Sequence, residues 1–156
     1  MLKTIGLCIL IFTIFGYSRQ LLKRLDEGVD ILCDLFSLFR DTLEGVKSYM
    51  KPIRTQIEKY STPLLDRNGI TNSLLARNTG EIKRCELIPH KTRDVLCEYI
   101  QSYGVVDYEL EVLRLQNLVN ELAIHIDELK AGVSKKRKLY TTLSASLSFA
   151  LIIFVI

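Results

Sequence analysis

Two apolar segments without a charged residue lie at or near the ends of the chain, and basic residues join each of them to the middle of the chain. Residues 4–18 carry no charge, and residues 139–156 form an 18-residue run without one. The N-terminal collar consists of Arg19, Lys23 and Arg24, and the C-terminal collar consists of Lys135, Lys136, Arg137 and Lys138. This pattern constrains the chain most because apolar runs of this length, flanked by Lys and Arg, are typical of membrane helices.

The two apolar segments differ in how well they match a bilayer. As helices, residues 139–156 would extend about 27 Å and residues 4–18 about 22 Å, against a hydrocarbon core of about 30 Å. We therefore predict a transmembrane helix at 139–156 and an N-terminal membrane anchor at 1–18. A cleaved signal peptide is the alternative at the N-terminus, although no small-residue cleavage site precedes Arg19.

The collars also predict an orientation. Basic flanks accumulate on the cytoplasmic side of membrane helices, and both collars lie on the side that faces the middle of the chain. Residues 19–138 are therefore expected in the cytosol, and the C-terminal collar is expected beside lipid headgroups. Residues 25–134 hold 13 basic and 18 acidic residues, a net charge of −5. A net negative domain is a poor partner for nucleic acid, which we exclude.

Two heptad seams predict the fold of the middle domain. The first contains Leu22, Leu25, Val29, Leu32, Phe36, Phe39, Leu43, Val46 and Met50, and the second contains Val112, Leu115, Val119, Leu122, Ile126, Leu129 and Val133. Steps of three and four residues are typical of helices packed along one face. Residues 19–50 and 107–138 are thus expected to be two long antiparallel helices of equal length.

Between the seams, residues typical of helix starts and ends predict several short helices. Thr62-Pro63 has the form of a helix start, Asn68-Gly69 has the form of a stop, and residues 70–77 and 90–103 can each supply further turns. Gly104 and Asp107 are expected to end one helix and cap the next. The predicted fold is all-α: an antiparallel helical bundle with a distal tip of short helices, tethered by apolar helices at both termini.

We find no pattern typical of an enzyme. The sequence lacks phosphate-binding, zinc-protease and nucleophile-elbow motifs, and its four cysteines and two histidines show no metal-ligand spacing. We therefore expect no catalytic residue, cofactor or small-molecule substrate. An acidic docking surface could be formed by Glu109, Glu111, Glu121, Asp127 and Glu128, although a solvated helix face explains the same residues.

The ends of the chain carry a family resemblance. It opens with MLKTIG and has Gly16 in the apolar segment, and residues 99–156 combine a Gly-Val-Val-Asp connection, a long helix and a basic run into an apolar tail. In these features the chain resembles stage III sporulation protein AB of endospore-forming bacteria. That family carries two tail glycines four residues apart, where this chain has Ser144 and Ser148. Small residues at this spacing allow close packing of membrane helices.

The resemblance implies a function that composition does not. It implies a non-enzymatic platform subunit of the channel complex between mother cell and forespore, located in the mother-cell membrane that faces the forespore. Its expected partners are the other channel subunits and a cytosolic secretion-type ATPase, and its expected fold is similar to the platform domain of type II secretion machines. The alternatives are a tail-anchored coiled-coil adaptor or tether of another pathway and a membrane-bound enzyme.

Overall fold

The chain folds into helices joined by short connections. The structure, a computed structural model, describes the backbone of residues 2–49, 52–105 and 107–155, and within them the side chains of all residues except 2–5, 7, 8, 49, 154 and 155. The described helices are α1 (Leu2–Tyr49), α2 (Ile53–Tyr60), α3 (Pro63–Arg67), α4 (Ile70–Ala76), α5 (Gly80–Arg84), α6 (His90–Ser102) and α7 (Tyr108–Val155). These residues contain no strand, so the all-α prediction is confirmed.

The chain divides into two compact units. Unit 1 comprises residues 1–27 and 129–156, and unit 2 comprises residues 28–128. The boundaries fall inside the two long helices, because α1 and α7 each contribute 48 residues and extend beyond the 32 residues predicted for each. Neither predicted helix is separated from its neighbouring apolar segment by a break. Met50, the last position of the first seam, lies outside the described residues.

Helix-capping and helix-ending residues explain most boundaries of the short helices. Thr62 caps α3, since its hydroxyl accepts a hydrogen bond from the Leu65 amide (3.3 Å), and Pro63 occupies the first turn. Gly69 and Gly104 both have φ of +69°, a conformation that favours glycine after a helix ends. Neither α2 nor α5 was predicted at its position, and the five-residue α5 has the weaker sequence pattern. Its only buried residue is Ile82, so it has no apolar periodicity that a sequence could display.

Unit 2 has a well-defined apolar core. Leu32 and Phe39 of the first seam and Leu115 and Leu122 of the second are completely buried or nearly so. The short helices contribute further fully buried side chains, namely Ile57, Leu65, Ile70, Leu74, Ile82, Leu96 and Ile100. Within this unit, Tyr108 donates a hydrogen bond to the Val46 carbonyl (3.1 Å), and Lys47 donates one to Gln116 (2.8 Å). These contacts join α1 to α7.

One close backbone approach in unit 2 depends on glycine. A Cβ added to Gly28 on α1 would lie 2.9 Å from the carbonyl oxygen of Leu87, in the connection between α5 and α6. That connection can pack directly against the helix backbone because residue 28 has no side chain. The glycine therefore has a packing role that offsets its low helix propensity.

Unit 1 contains the N-terminal part of α1 and the C-terminal part of α7. An ion pair links them, with Arg137 Nη2 2.6 Å from Asp26 Oδ1. Farther along the same two helices lies an apolar groove of about 410 Å³, lined by Thr13, Ile14, Tyr17, Ser18, Leu21, Tyr140, Leu143, Ser144 and Leu147. Described side chains of the two apolar segments, from residues 13–18 and 140–147, thus line one groove within this unit.

Candidate partner-binding surface

Helices α6 and α7 of unit 2 flank a groove of about 300 Å³. Its lining is largely polar and comprises Val95, Glu98, Tyr99, Ser102, Arg114, Asn117, Leu118 and Glu121. Pockets for small molecules are mostly apolar and have volumes of about 300–1,000 Å³, so this groove is small and unusually charged for that purpose. Its charged lining residues are Glu98, Glu121 and Arg114, two negative and one positive, so it is better suited to a basic side chain of a protein partner than to an acidic one.

Four of the five acidic residues singled out in the sequence are exposed in unit 2. These are Glu109, Glu121, Asp127 and Glu128. Glu121 lines the groove, and Glu128 lies 3.9 Å from Lys91 of α6 while its side chain remains 59% exposed. An ion pair this exposed contributes little to stability, so Glu128 remains available to a partner.

The expectation that Glu111 belongs to the same exposed surface is wrong. Its side chain is only 5% exposed. One carboxylate oxygen accepts a hydrogen bond from the Tyr99 hydroxyl (3.2 Å), and the other accepts one from the Gly104 amide (3.0 Å). Glu111 therefore holds the connection between α6 and α7 against the core.

An aromatic cluster that was not predicted surrounds this carboxylate. Tyr99 packs edge-on against Phe39, with ring centroids 5.5 Å apart, and stacks on Tyr103 at 5.7 Å. The Tyr103 hydroxyl donates to the Leu74 carbonyl, and the Arg77 guanidinium lies 4.8 Å above the Tyr103 ring. Burial and, secondarily, the neighbouring Glu111 carboxylate raise the pKa of Tyr99 well above its usual value. The i, i+4 spacing of the two tyrosines was the available signal.

The predicted packing serines lie on a covered face of α7 in unit 1. Ser144 and Ser148 are 5% and 8% exposed. Each hydroxyl donates to a carbonyl of the preceding turn, Ser144 to Thr141 (3.1 Å) and Ser148 to Ser144 (2.7 Å). Both hydroxyls therefore have hydrogen-bond partners within the helix, and these small side chains need no polar partner on a neighbouring element. Their role in membrane helix packing stays a prediction.

Both collars expose their basic side chains to solvent in unit 1. Lys135, Lys136, Arg137 and Lys138 are all exposed, and only Arg137 among them is engaged in a described ion pair, with Asp26. Arg19, Lys23 and Arg137 line one open groove of about 640 Å³. The collars therefore present several positive charges to solvent. The prediction that they lie beside lipid headgroups depends on this charge and stays a prediction.

Apolar side chains are also exposed in unit 1. Of the 16 large hydrophobic side chains exposed among the described residues, 11 lie in the two terminal segments. They are Ile9, Leu10, Phe12, Phe15, Tyr17, Leu139, Leu143, Leu147, Phe149, Ile152 and Ile153. Within the described residues, no helix carries an apolar stretch long enough to cross a membrane. The predicted segments 1–18 and 139–156 both include residues that lie outside the described side chains.

Metal-ligating and nucleophilic side chains are dispersed where the structure describes them. Across those residues, no three His, Cys, Asp or Glu side chains are grouped to hold a metal ion. His125 contacts the Thr92 hydroxyl through Nδ1 (3.1 Å), and the exposed His90 contacts Asp94 (3.2 Å). Burial raises the pKa of the Cys97 thiol, which keeps it in the unreactive neutral form.

Neither protein-family models, nor characterised proteins, nor solved structures give a match to this chain.

Proposed function

We propose that this chain is a non-enzymatic membrane platform subunit of the sporulation channel complex between mother cell and forespore. In this proposal the terminal segments hold the chain at the mother-cell membrane, and residues 19–138 dock a cytosolic secretion-type ATPase. The chain itself catalyses no reaction. It transmits force or conformational change between the ATPase and the other channel subunits.

The observation that carries the proposal is the surface of unit 1. Phe12, Phe149 and Ile153 are 79%, 68% and 77% exposed, and they belong to a set of 11 such side chains on two short segments. Exposed apolar surface of this extent marks a lipid or protein contact, because water solvates it poorly. The adjoining collars supply basic residues that each gain about 1 kcal/mol beside anionic lipid. Membrane attachment satisfies both features.

Two further features support a platform. Unit 2 has a fully buried core and an exposed acidic set on α7, which together provide a rigid body with a charged face. The resemblance of residues 99–156 to stage III sporulation protein AB supports the choice of the sporulation channel and of an ATPase partner. Polybasic segments next to apolar tails occur in many membrane proteins, so the resemblance alone supports this particular complex.

A genetic experiment in the spore-forming host tests the proposal. Deleting the gene is expected to block sporulation after engulfment and to leave vegetative growth unchanged. The full chain should restore spore yield, whereas residues 19–138 alone should not, because a freely diffusing domain cannot couple an ATPase to a membrane channel. Normal spore yield in the deletion strain would refute the assignment, and rescue by residues 19–138 would refute the mechanism.

A further inference from the structure

Helix α7 carries a second heptad pattern on the side of unit 2 that faces solvent. Leu110, Leu113 and Ile124 are 43%, 55% and 58% exposed, whereas Leu115 and Leu122 on the other side of the helix are completely buried. Steps of three and four residues place one row of side chains on a single helix face. The row comprises Leu110, Leu113, Asn117, Asn120, Ile124 and Asp127, and we call it the outer stripe.

The outer stripe has no cover within its own unit. All six of its side chains are exposed, so no described part of unit 2 packs on it. It extends about 21 Å from Leu110 to Ile124, at 1.5 Å per residue. Three large apolar side chains on one narrow row are more than the scattered apolar residues of an ordinary solvated helix face.

The composition of the row is typical of a helix–helix contact. Leu110 and Leu113 begin the row, Asn117 and Asn120 occupy adjacent core positions in its centre, and Ile124 and Asp127 end it. In coiled coils, asparagine at a core position weakens the contact but fixes the register and the partner. The stripe therefore favours one aligned helix over unspecific apolar association.

The charges beside the row determine the chemistry of that helix. The flanking heptad positions are Glu109, Arg114, Gln116, Glu121, Ala123 and Glu128. Arg114, the only cation among them, is directed to the Ser102 carbonyl (3.5 Å). Glu109, Glu121 and Glu128 are exposed, and so is Asp127 on the stripe itself. A helix packed here meets a row of carboxylates on its flanks.

A second copy of this chain is a poor occupant of the stripe. In a parallel pair of outer stripes, Asp127 of one copy would meet Asp127 of the other at a core position, and like charges there oppose association. Among the flanking glutamates only Glu109 would lie opposite a cation, Arg114. Glu121 and Glu128 would lie opposite the uncharged Gln116 and Ala123. A helix with lysine or arginine at its flanking positions instead forms attractive pairs and is drawn to the surface at low salt.

We propose that the outer stripe is the docking surface for an amphipathic helix of another protein, with apolar contact residues and basic flanking residues. This inference rests on the proposed function only in requiring that unit 2 has a protein partner. The groove lined by Glu98 and Glu121 adjoins the stripe and accepts a basic side chain from the same helix.

The test uses the full-length protein in nonionic detergent and a synthetic peptide. The peptide is three heptads long, with leucine at the core positions, two central asparagines and lysine at the flanking positions. A scrambled peptide of the same composition is its control. Binding is measured by fluorescence anisotropy at low and at physiological salt. We expect the patterned peptide to bind, more weakly as salt rises, and the scrambled peptide to bind at least about tenfold more weakly.

Variants separate docking from charge attraction. Leu113→Ser combined with Ile124→Ser keeps every charge, and both sites are exposed, so the fold should be retained by circular dichroism. This double variant should weaken peptide binding about tenfold or more. Val105→Ser is the matched control, because Val105 is 70% exposed but lies outside the stripe. It should leave binding unchanged.

Three results would overturn the inference. They are equal binding of the patterned and scrambled peptides, no effect of the double variant, and no binding of the patterned peptide. Sedimentation showing a dimer that the double variant dissociates would assign the stripe to a second copy and overturn it as well. None of these results bears on spore yield, so failure of the docking surface and failure of the proposed function are distinguishable.

Discussion

At the scale of single residues, Glu111 has a structural role that its sequence context conceals. Its carboxylate is buried and accepts hydrogen bonds from the Tyr99 hydroxyl and the Gly104 amide. Two residues earlier, Glu109 lies in the same first turn of α7 but is exposed. Both glutamates interact with the same helix N-terminus. A difference between the effects of replacing them therefore reports the burial and hydrogen bonding of Glu111.

This difference predicts unequal costs for the same substitution. Glu111→Ala leaves the buried Tyr99 hydroxyl and the Gly104 amide without their acceptor and should lower the free energy of unfolding by about 1–3 kcal/mol. Glu109→Ala, the matched control, should change it by no more than about 0.5 kcal/mol. Denaturant unfolding of the full-length protein in detergent measures both. Equal losses for the two variants would show that the Glu111 hydrogen bonds contribute nothing.

The raised pKa of Tyr99 predicts a dependence of stability on alkaline pH. An unfolded tyrosine loses its proton near pH 10, whereas burial keeps Tyr99 protonated in the folded chain. Above about pH 10 the unfolded state therefore binds fewer protons than the folded state, and the free energy of unfolding falls as pH rises. Below pH 10 this contribution is fully present.

Tyr99→Phe isolates the effect because phenylalanine does not titrate. Between pH 9 and pH 11 the parent protein should lose more stability than the variant, even if the variant is less stable at pH 9 through loss of its hydrogen bond to Glu111. Chemical unfolding curves at the two pH values provide the measurement. Parallel losses in both proteins would contradict the proton assignment.

At the scale of helices, the all-α class and several helix boundaries could be predicted because they depend on patterns along the chain. Thr62-Pro63 marked the start of α3, and Gly69 and Gly104 adopt the positive φ expected after a helix end. Seam residues such as Phe39 and Leu122 are buried as their spacing predicts. Helix α5 was not predicted because a helix of five residues with one buried side chain shows no repeating apolar pattern.

The candidate site was less predictable than the helices for a physical reason. The segment Glu109-Leu110-Glu111 has carboxylates on both sides of a leucine, and nothing in that pattern distinguishes the exposed one from the buried one. The distinction comes from Gly104 and Tyr99, which reach Glu111 only after the connection between α6 and α7 has folded back. Contacts of this kind depend on tertiary structure.

Two glycines in long helices predict opposite effects of one substitution. Alanine in place of glycine in a helix interior usually stabilises by about 0.5–1 kcal/mol. Gly132 of α7 has no atom within 4 Å of an added Cβ, so Gly132→Ala should give that gain. At Gly28 the added Cβ would lie 2.9 Å from the Leu87 carbonyl oxygen, so Gly28→Ala should destabilise by about 1–3 kcal/mol.

Thermal unfolding of the two full-length variants tests this prediction. The helix propensity term is the same in both, so the difference between their unfolding free energies reports the backbone contact of Gly28. A stabilised Gly28→Ala variant would mean that the connection between α5 and α6 moves away at little cost, and that its packing on α1 is loose.

At the scale of the whole molecule, the exposure of large apolar side chains differs between the middle of the chain and its terminal segments. Residues 28–128 bury a core that includes Phe39, Ile57 and Leu122, whereas the described parts of the terminal segments expose most of the large apolar side chains that water contacts. Basic collars stand between the two kinds of region in the sequence. The proposed platform function depends on this division, because it requires terminal segments at the membrane and a middle region in the cytosol.

Thiol labelling tests that central claim most directly. Cys85 is partly exposed and Cys97 is buried, so a chain that retains Cys85 as its only cysteine provides the better probe. The chain should sediment with membranes, and a membrane-impermeant maleimide should label Cys85 only after the cells are opened. Labelling of Cys85 in intact cells, or recovery of the chain in the soluble fraction, would contradict a membrane platform that faces the cytosol.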